Sequence, residues 1–358
     1  MSRGGIAVVV SGFPRRSETF ALGELLALQS RGLLAALFAT KAGEEGALQP
    51  GVEPLLERVQ WLPTGTPEEQ ATVVAERAAR LDVAGVHGYF AHAPASVAER
   101  AAARLGVRFG FSAHAKDARK VPPRELAERA RRAACVVACN ADVATELLGA
   151  GAPLHLVPHG VDLGRFRAEP LPPAPPLRLL AVGRLVEKKG FLTLLHAAAR
   201  LTVPFHLRVV GDGPERPTLE SAVSALGLER SVTLCGDRTH AELPGEYAAA
   251  HAVVVPSVVD AQGDRDGLPN VVLEAMASGR AVVATRVGAI PSGVADEVTG
   301  LLVAPNDPAA LAAALGRLAA DGALTEALGR RGWARAAREF DVARCAARFC
   351  DVLEAAYA

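Results

Sequence analysis

From Gly5 onward, short runs of Val, Ile, Leu and Ala alternate with longer stretches rich in Ala, Leu and Arg, and the rhythm persists along a chain of 358 residues. Strand-like runs fall at 5–10 (GIAVVV), 33–38, 84–87, 108–112, 135–138 and 154–157, and helical stretches begin near Glu18 and cover 68–81, 94–105 and 140–149. Apolar runs without polar alternation read as strands buried on both faces, and the helices between them are what parallel crossovers require. An α/β fold of doubly wound parallel sheets is therefore predicted. The rhythm breaks once, at Arg167–Leu177 (RAEPLPPAPPL), where prolines favour an extended linker. It then restarts, with strands predicted at 178–182, 206–210, 231–234, 252–255, 281–284 and 301–303 and helices near 190–199, 215–226, 242–249, 270–277, 308–319 and 322–339. Two Rossmann-like domains are expected, 1–166 and 178–340 joined by 167–177, because the length exceeds what one core usually serves. The last stretch, 341–358, gathers Val342, Cys345, Phe349, Val352 and Leu353 on one side and either completes the second domain or crosses back to the first.

Charge narrows the partners. Lys plus Arg and Asp plus Glu both number 39, so there is no overall field to gather nucleic acid. Arg129, Arg131 and Arg132 cluster locally, as a solvated helix face or as a surface for an anionic or lipid-linked acceptor. The apolar run at Gly5–Val10 stops at Gly12 and Pro14, too early for a signal peptide, and no stretch reaches the 18 or more apolar residues of a membrane span. A cytoplasmic location is expected, with peripheral contact at the inner face of the cell membrane left open. The five cysteines form no CxxC pair and read as small apolar residues in a reducing compartment.

The chemistry concentrates at 263–279, GDRDGLPNVVLEAMASG, which follows the strand-and-loop run HAVVVPS. Its glycines and Pro269 form a stiff loop, and the helix after it offers unpaired N–H groups to an anion. Asp266 lies just before that helix and Glu274 about one turn inside it. Carboxylates accept from sugar hydroxyls while amides cradle phosphate, so a nucleotide-sugar meets the requirement. Glu274 also reads as a first-turn acid favoured by the helix dipole. In GRLVEKKG, 183–190, Arg184 and Lys189 sit at the carboxyl end of a strand, where fixed positive charge suits a diphosphate. No clustered metal ligands stand out, although Asp264 and Asp266, flanking Arg265, offer a weaker divalent-ion reading. GDGPE (211–215) and CGDR (235–238) are further strand-end turns, in which Gly211 and Gly236 allow close approach of a nucleotide or serve plain tight turns. In the first half, His87 ends a strand, His114 and His159 follow strands, His92 is a loop residue, Asp117 with Lys116 either orients His114 or forms a surface pair, and Ser17 is a helix cap.

These motifs, in this order, resemble glycosyltransferase family 4, the retaining enzymes of GT-B fold. The resemblance covers almost the whole chain and is strongest through GRLVEKKG, GDGPE, PSVVDAQGDRDGLPNVVLEAMASGRAVVAT (256–285) and GLLVAPNDPAAL (300–311). In the first half, SGFPRRSETF, HGYF (87–90), FSAHAKD (111–117) and VPHGVDLGRF (157–166) are similar to the subset that builds bacterial exopolysaccharide, of the colanic-acid type. The resemblance implies that Arg184 and Lys189 hold the donor diphosphate, that Glu274 binds the ribose hydroxyls, and that Asp266 contacts the donor sugar with the amides of Gly267, Leu268, Pro269 and Asn270 around it. It further implies that His114 hydrogen-bonds the donor sugar, that Gly12 lies near the donor phosphates, and that the closing helix crosses back to the first domain. The implied activity is that of a metal-independent hexosyltransferase with no tightly bound cofactor. A UDP- or GDP-sugar is the implied donor, and a hydroxyl of a glycan, a lipid-linked carrier or a small molecule the implied acceptor.

Three departures stand out: Asp266 and Ser292 where the family commonly has Glu, and Tyr89 where the subset has a second histidine. Retention is inherited from the resemblance as same-face attack, with the leaving diphosphate accepting the acceptor's proton. No residue presents itself as a covalent nucleophile. A nicotinamide-dependent dehydrogenase would carry a complete glycine fingerprint in the first turn, which is missing. A non-catalytic nucleotide-sugar binding protein would lack Arg184 or Lys189. A sugar-nucleotide epimerase or a phosphorylase of the same fold stays open.

Overall fold

The computed structural model describes residues 4–15, 18–44, 49, 51–114, 118–148, 151 and 153–358, so Ser17, Lys116 and Asp117 lie outside the described residues. The chain forms two compact units, Met1–Gly160 with Val342–Ala358, and Val161–Asp341. The second begins ahead of the expected boundary at 166 because Val161 and Phe166 are buried in its core.

The first unit is built on a seven-stranded sheet in the order β3-β2-β1-β4-β5-β6-β7. Its strands are β1 (Gly5–Phe13), β2 (Leu34–Ala42), β3 (Val59–Trp61), β4 (Val83–Gly88), β5 (Arg108–Ala113), β6 (Cys135–Ala138) and β7 (Leu154–Leu156). All pairs run parallel. β1 shows why an unbroken apolar run belongs at the centre. Successive side chains point to opposite faces, so Ala7 and Val9 enter one core while Ile6, Val8 and Val10 enter the other. The helix Pro67–Ala78 begins at a reciprocal cap, with Thr66 N donating to Glu69 Oε2 at 2.7 Å and Glu69 N to Thr66 Oγ1 at 3.3 Å. β3 is too short to show a periodicity and was not expected from the sequence, and the same holds for the one-turn helix Glu53–Leu56.

The closing helix, Val342–Tyr357, covers one face of this sheet through Cys345, Phe349, Cys350, Leu353 and Tyr357. Its last ring needs space that only glycine leaves: a Cβ on Gly85 would sit 2.0 Å from the Tyr357 ring. The helix also corrects the placement of His87, which strand-end position alone would put at an open edge. His87 is fully buried, with Nδ1 3.0 Å from the Tyr357 hydroxyl and Nε2 2.9 Å from Ser112 Oγ. Burial, with a contribution from the charge of His114, pulls its pKa from 6.5 to about 3. The folded state thus holds His87 neutral while the unfolded chain protonates near its ordinary value. Its stabilising share is full above pH 6.5 and is lost as pH falls from there through about 3, a loss of at most about 5 kcal/mol. Thermal unfolding followed between pH 7 and 4 should show His87→Gln with a flatter acid limb than the parent; an unchanged slope would sink this account.

The basic run also reads differently in three dimensions. Residues Pro123–Arg132 form a helix, and Arg129 is buried, donating to Glu99 Oε2 at 3.2 Å, Glu125 Oε1 at 2.8 Å and Ala91 O at 2.8 Å. Arg132 reaches Glu99 Oε1 at 2.6 Å, and Arg119 is bridged to Asp142 and Glu146. Much of the run's charge is spent inside the unit rather than offered as a basic surface.

The second unit carries a six-stranded parallel sheet ordered β10-β9-β8-β11-β12-β13. Its strands are β8 (Leu177–Val182), β9 (Phe205–Val210), β10 (Val232–Gly236), β11 (Ala252–Val255), β12 (Ala281–Thr285) and β13 (Leu301–Val303). Leu177, Leu179 and Ala181 of β8 feed one core and Leu180 the other, repeating the logic of β1. The proline-rich segment lies in this unit and is held by two buried side chains. His251 Nδ1 accepts from Arg178 N at 2.9 Å, so its Nε2 carries the proton and donates to Pro172 O at 2.8 Å. Arg280, with no exposed surface, donates to carbonyls of Glu169, Pro170, Ala250 and Ser278.

Candidate functional site

In the second unit the chain after β8 turns through Gly183–Val186 into a single 3₁₀ turn, Glu187–Lys189. The chain after β11 runs through Pro256 and Ser257 into a loop that ends at Pro269, the N-cap of the helix Asn270–Ala277. Both follow carboxyl ends of neighbouring strands, where open α/β sheets present ligand-binding groups. The two segments are tied by charge. Lys189 Nζ lies 2.8 Å from Asp266 Oδ2, and Lys188 Nζ lies 3.0 Å from Asp264 Oδ2 and 3.8 Å from Asp266 Oδ1. Ser257 Oγ donates to Asp266 Oδ2 at 2.7 Å, and Val258 N to Lys188 O at 2.8 Å. A small hollow opens beside Lys189 and Ser257, walled by Val182, Phe191, Val255, Pro269 and Val271.

The pairing has two consequences. Asp264 and Asp266, read as alternative ligands for a divalent ion, already hold lysines, and among the described residues no group of three or more His, Cys, Asp or Glu could hold a metal ion. A cation and a carboxylate also stand side by side at the start of a helix with no side-chain cap. Such a triad of Lys⁺, carboxylate and free N–H groups recognises a ligand that is anionic at one end and hydroxylated at the other.

Glu274 is not the first-turn acid that the dipole reading expected. It lies in the second turn of its helix and is 9% exposed. Tyr247, on the helix Leu243–Ala248, donates its hydroxyl to Glu274 Oε2 at 2.6 Å. Burial raises the Glu274 pKa, while the Tyr247 hydrogen bond and the charge of Arg165 oppose the rise.

Arg184 is exposed and forms no ion pair with the described residues. Its turn is stitched to those carrying Gly211 and Gly236: Gly211 N donates to Gly236 O at 2.9 Å, and Leu185 N to Asp212 O at 2.9 Å. Gly211 has φ +132°, and a Cβ there would lie 2.0 Å from Gly183 O, so no other residue allows this close stitching. The structure thus brings Lys189 and Asp266 into contact and sets Arg184, Gly211 and Gly236 on adjoining turns. Gly267, Leu268 and Pro269 lead directly into Asn270 at the helix start.

His114 and Gly12 belong to the first unit. Gly12 is near the end of β1, where a Cβ would lie 2.9 Å from Ala42 O. His114 follows β5 and joins a ring cluster assembled from the segments after β4, β5 and β7 and from Phe20 on the helix Thr19–Ser30. Its ring centroid lies 4.9 Å from Phe90, 5.2 Å from His159, 5.3 Å from Phe20 and 5.4 Å from Tyr89. His159 stacks on Phe20 at 3.8 Å and faces Glu24 at 3.6 Å. Burial works against charge on His159, yet the Cys139 thiol and Glu24 outweigh it and raise its pKa. Tyr89 is fully buried and donates to Glu24, so the residue that replaces a histidine anchors a carboxylate. Phe20, Glu24, Tyr247, Lys188 and Ser257 escaped sequence reasoning. Only Ser257, in a strand-end Pro-Ser pair, carried a local signal.

Two family models match consecutive parts of the chain: "Glycosyltransferase Family 4" over residues 18–165 and "Glycosyl transferases group 1" over residues 176–321. WcaL of Escherichia coli (strain K12) is 38% identical over 157 residues, 43% of this chain and 39% of its own length. The D-inositol 3-phosphate glycosyltransferase of Salinispora tropica is 36% identical over 225 residues, 56% of this chain and 45% of its own. These matches span less than half the length of either curated relative. The fold is that of HepE from Anabaena, solved in complex with UDP, at a TM-score of 0.81 and 19% identity over 98% of this chain and 99% of that one. Among the described residues no helix is long and apolar enough to cross a membrane.

Proposed function

Because the chain belongs to the GT-B-fold glycosyltransferases of family 4 and group 1, we propose that it moves a sugar from a nucleoside-diphosphate sugar to an acceptor hydroxyl, with retention at the anomeric carbon. The observation that carries this reading is the contact of Lys189 with Asp266 at the start of the helix Asn270–Ala277. Lys189 and Arg184 are positioned to meet the diphosphate, Asp266 and the Gly267–Asn270 amides the donor sugar, and Glu274 the ribose. On binding, the diphosphate takes over Lys189 and frees Asp266 to accept from sugar hydroxyls. Negative charge on the departing diphosphate is stabilised by fixed cations, and the loop carboxylates are already matched by lysines, so the reaction proceeds without added metal. With no side chain placed as a nucleophile, the leaving diphosphate accepts the acceptor's proton on the face it departs from. His114, in its ring cluster, is the first unit's group for a sugar hydroxyl. The acceptor is a glycan, a lipid-linked carrier or a small molecule, and UDP, present in the HepE complexes, is the first nucleotide to test.

Thermal shift against UDP-, GDP-, ADP- and TDP-sugars provides that test. One donor at about 100 times its Kd should stabilise the protein by about 2.7 kcal/mol, equally with and without EDTA. The gain should fall to about 1.4 kcal/mol or less in Glu274→Ala. Absence of stabilisation by all four, or a gain that EDTA abolishes, would overturn the reading. Proton NMR of the sugar first released from the donor, in water or to an acceptor, then decides retention by its anomeric configuration.

A further inference from the structure

We infer that Tyr247 is a positioning residue for the donor: its hydroxyl fixes which oxygen of Glu274 is left to the nucleotide, and so sets the preference for a ribose that carries its hydroxyls. The inference rests on the assignment of Glu274 to the ribose. A glutamate carboxylate turns easily about its last torsion and, left alone, presents either oxygen. Here Oε2 is taken by the Tyr247 hydroxyl at 2.6 Å, while Oε1 accepts from no described residue. The tyrosine itself has little freedom. It is fully buried, its ring meets Phe166 edge-on with centroids 5.5 Å apart and planes at 88°, and it shares a core with Val253, Val272 and Met276. Swinging the phenol away from Glu274 would open that core.

The chemistry of the pair is one-directional. Burial and the adjacent carboxylate hold the phenol far above its ordinary pKa, so it can only donate to an ionised Glu274. Burial raises the Glu274 pKa, and Arg165, the other charged group that acts on it, works with the Tyr247 hydroxyl to favour the ionised form. A carboxylate with one oxygen pinned and the other open is a preorganised acceptor for a hydroxyl. Without the pin, Glu274 spends part of its time turned toward the protein, and the cost falls on hydroxyl-bearing nucleotides alone.

The test measures Kd by calorimetry for UDP, GDP and ADP and for their 2′,3′-dideoxy forms, on the parent protein, Tyr247→Phe, Glu274→Gln and the double variant. The parent should bind its ribonucleotide about 10- to 100-fold tighter than the dideoxy form, the range of a hydrogen bond to a charged group. Tyr247→Phe should reduce that preference to about 3-fold or less, leave dideoxy binding within about 2-fold, and add nothing to Glu274→Gln in the double variant. A full preference retained in Tyr247→Phe overturns the positioning role while the donor reading stands. Equal loss for both nucleotide forms, with a lowered unfolding temperature, assigns Tyr247 to packing and overturns it as well. If none of the three diphosphates binds the parent, the donor reading is what fails.

Discussion

Lys189→Met should lower kcat/KM for release of the nucleoside diphosphate by about 100- to 1000-fold, the scale on which removing one preorganised charge-stabilising group slows a transfer. The lysine ammonium touches Asp266 at 2.8 Å, so the substitution removes two things: a cation for the diphosphate and a partner for a largely buried carboxylate. Folding should survive. Asp266 keeps the Ser257 hydroxyl at 2.7 Å and Lys188 at 3.8 Å, and the stability loss should be about 1–2 kcal/mol. A second background separates the two roles. If Lys189 serves only to hold Asp266, the step from Asp266→Asn to the double variant should cost no more than about 3-fold. If it meets the diphosphate, at least about 30-fold should remain in that background. Additivity of this kind, with Lys189→Arg recovering part of the rate because charge is kept and shape is not, is the expected result.

What could be read from the sequence divides along physical lines. Every strand of the two sheets except the three-residue β3 was legible because parallel strands covered on both faces are continuous apolar runs, as β1 and β11 show. The loop from Asp264 to Pro269 drew the site reading because glycine, proline and carboxylate in one short segment before a helix are what a phosphate- and sugar-binding loop needs. The supports of that loop were not. Tyr247 reaches Glu274 from 27 residues away, and Lys188 reaches Asp264 from 76 residues away, so each looks locally like an ordinary core tyrosine or surface lysine. His87 misled for the same reason: the group that buries it, Tyr357, comes from 270 residues further on. The basic run did so in reverse. Glu99, Asp142 and Glu146 stand on other elements, and without them arginines that close internal ion pairs read as an open charged face.

Arg280→Met should destabilise the second unit by about 4 kcal/mol without changing nucleotide affinity. The guanidinium has no exposed surface and, among the described residues, donates to carbonyl oxygens: Ser278 O at 2.9 Å and Ala250 O at 3.1 Å in the interior, and Pro170 O and Glu169 O where the proline-rich segment crosses. Methionine fills a similar volume but donates nothing. The Pro170 and Glu169 carbonyls can turn to water, whereas those of Ser278 and Ala250 cannot, and each buried acceptor left unpaired costs about 1–3 kcal/mol. For a unit of this size the drop corresponds to roughly 10 °C in the unfolding midpoint. Lysine keeps the charge but offers one compact ammonium in place of a planar fork, so Arg280→Lys should fall between the two. Amide hydrogen exchange should locate the damage, with protection lost first across 167–177, where His251 remains as the other tether through Pro172 O. A loss below about 1 kcal/mol in Arg280→Met would mean that these carbonyls reach water in the native state and that the segment is held by packing rather than by Arg280.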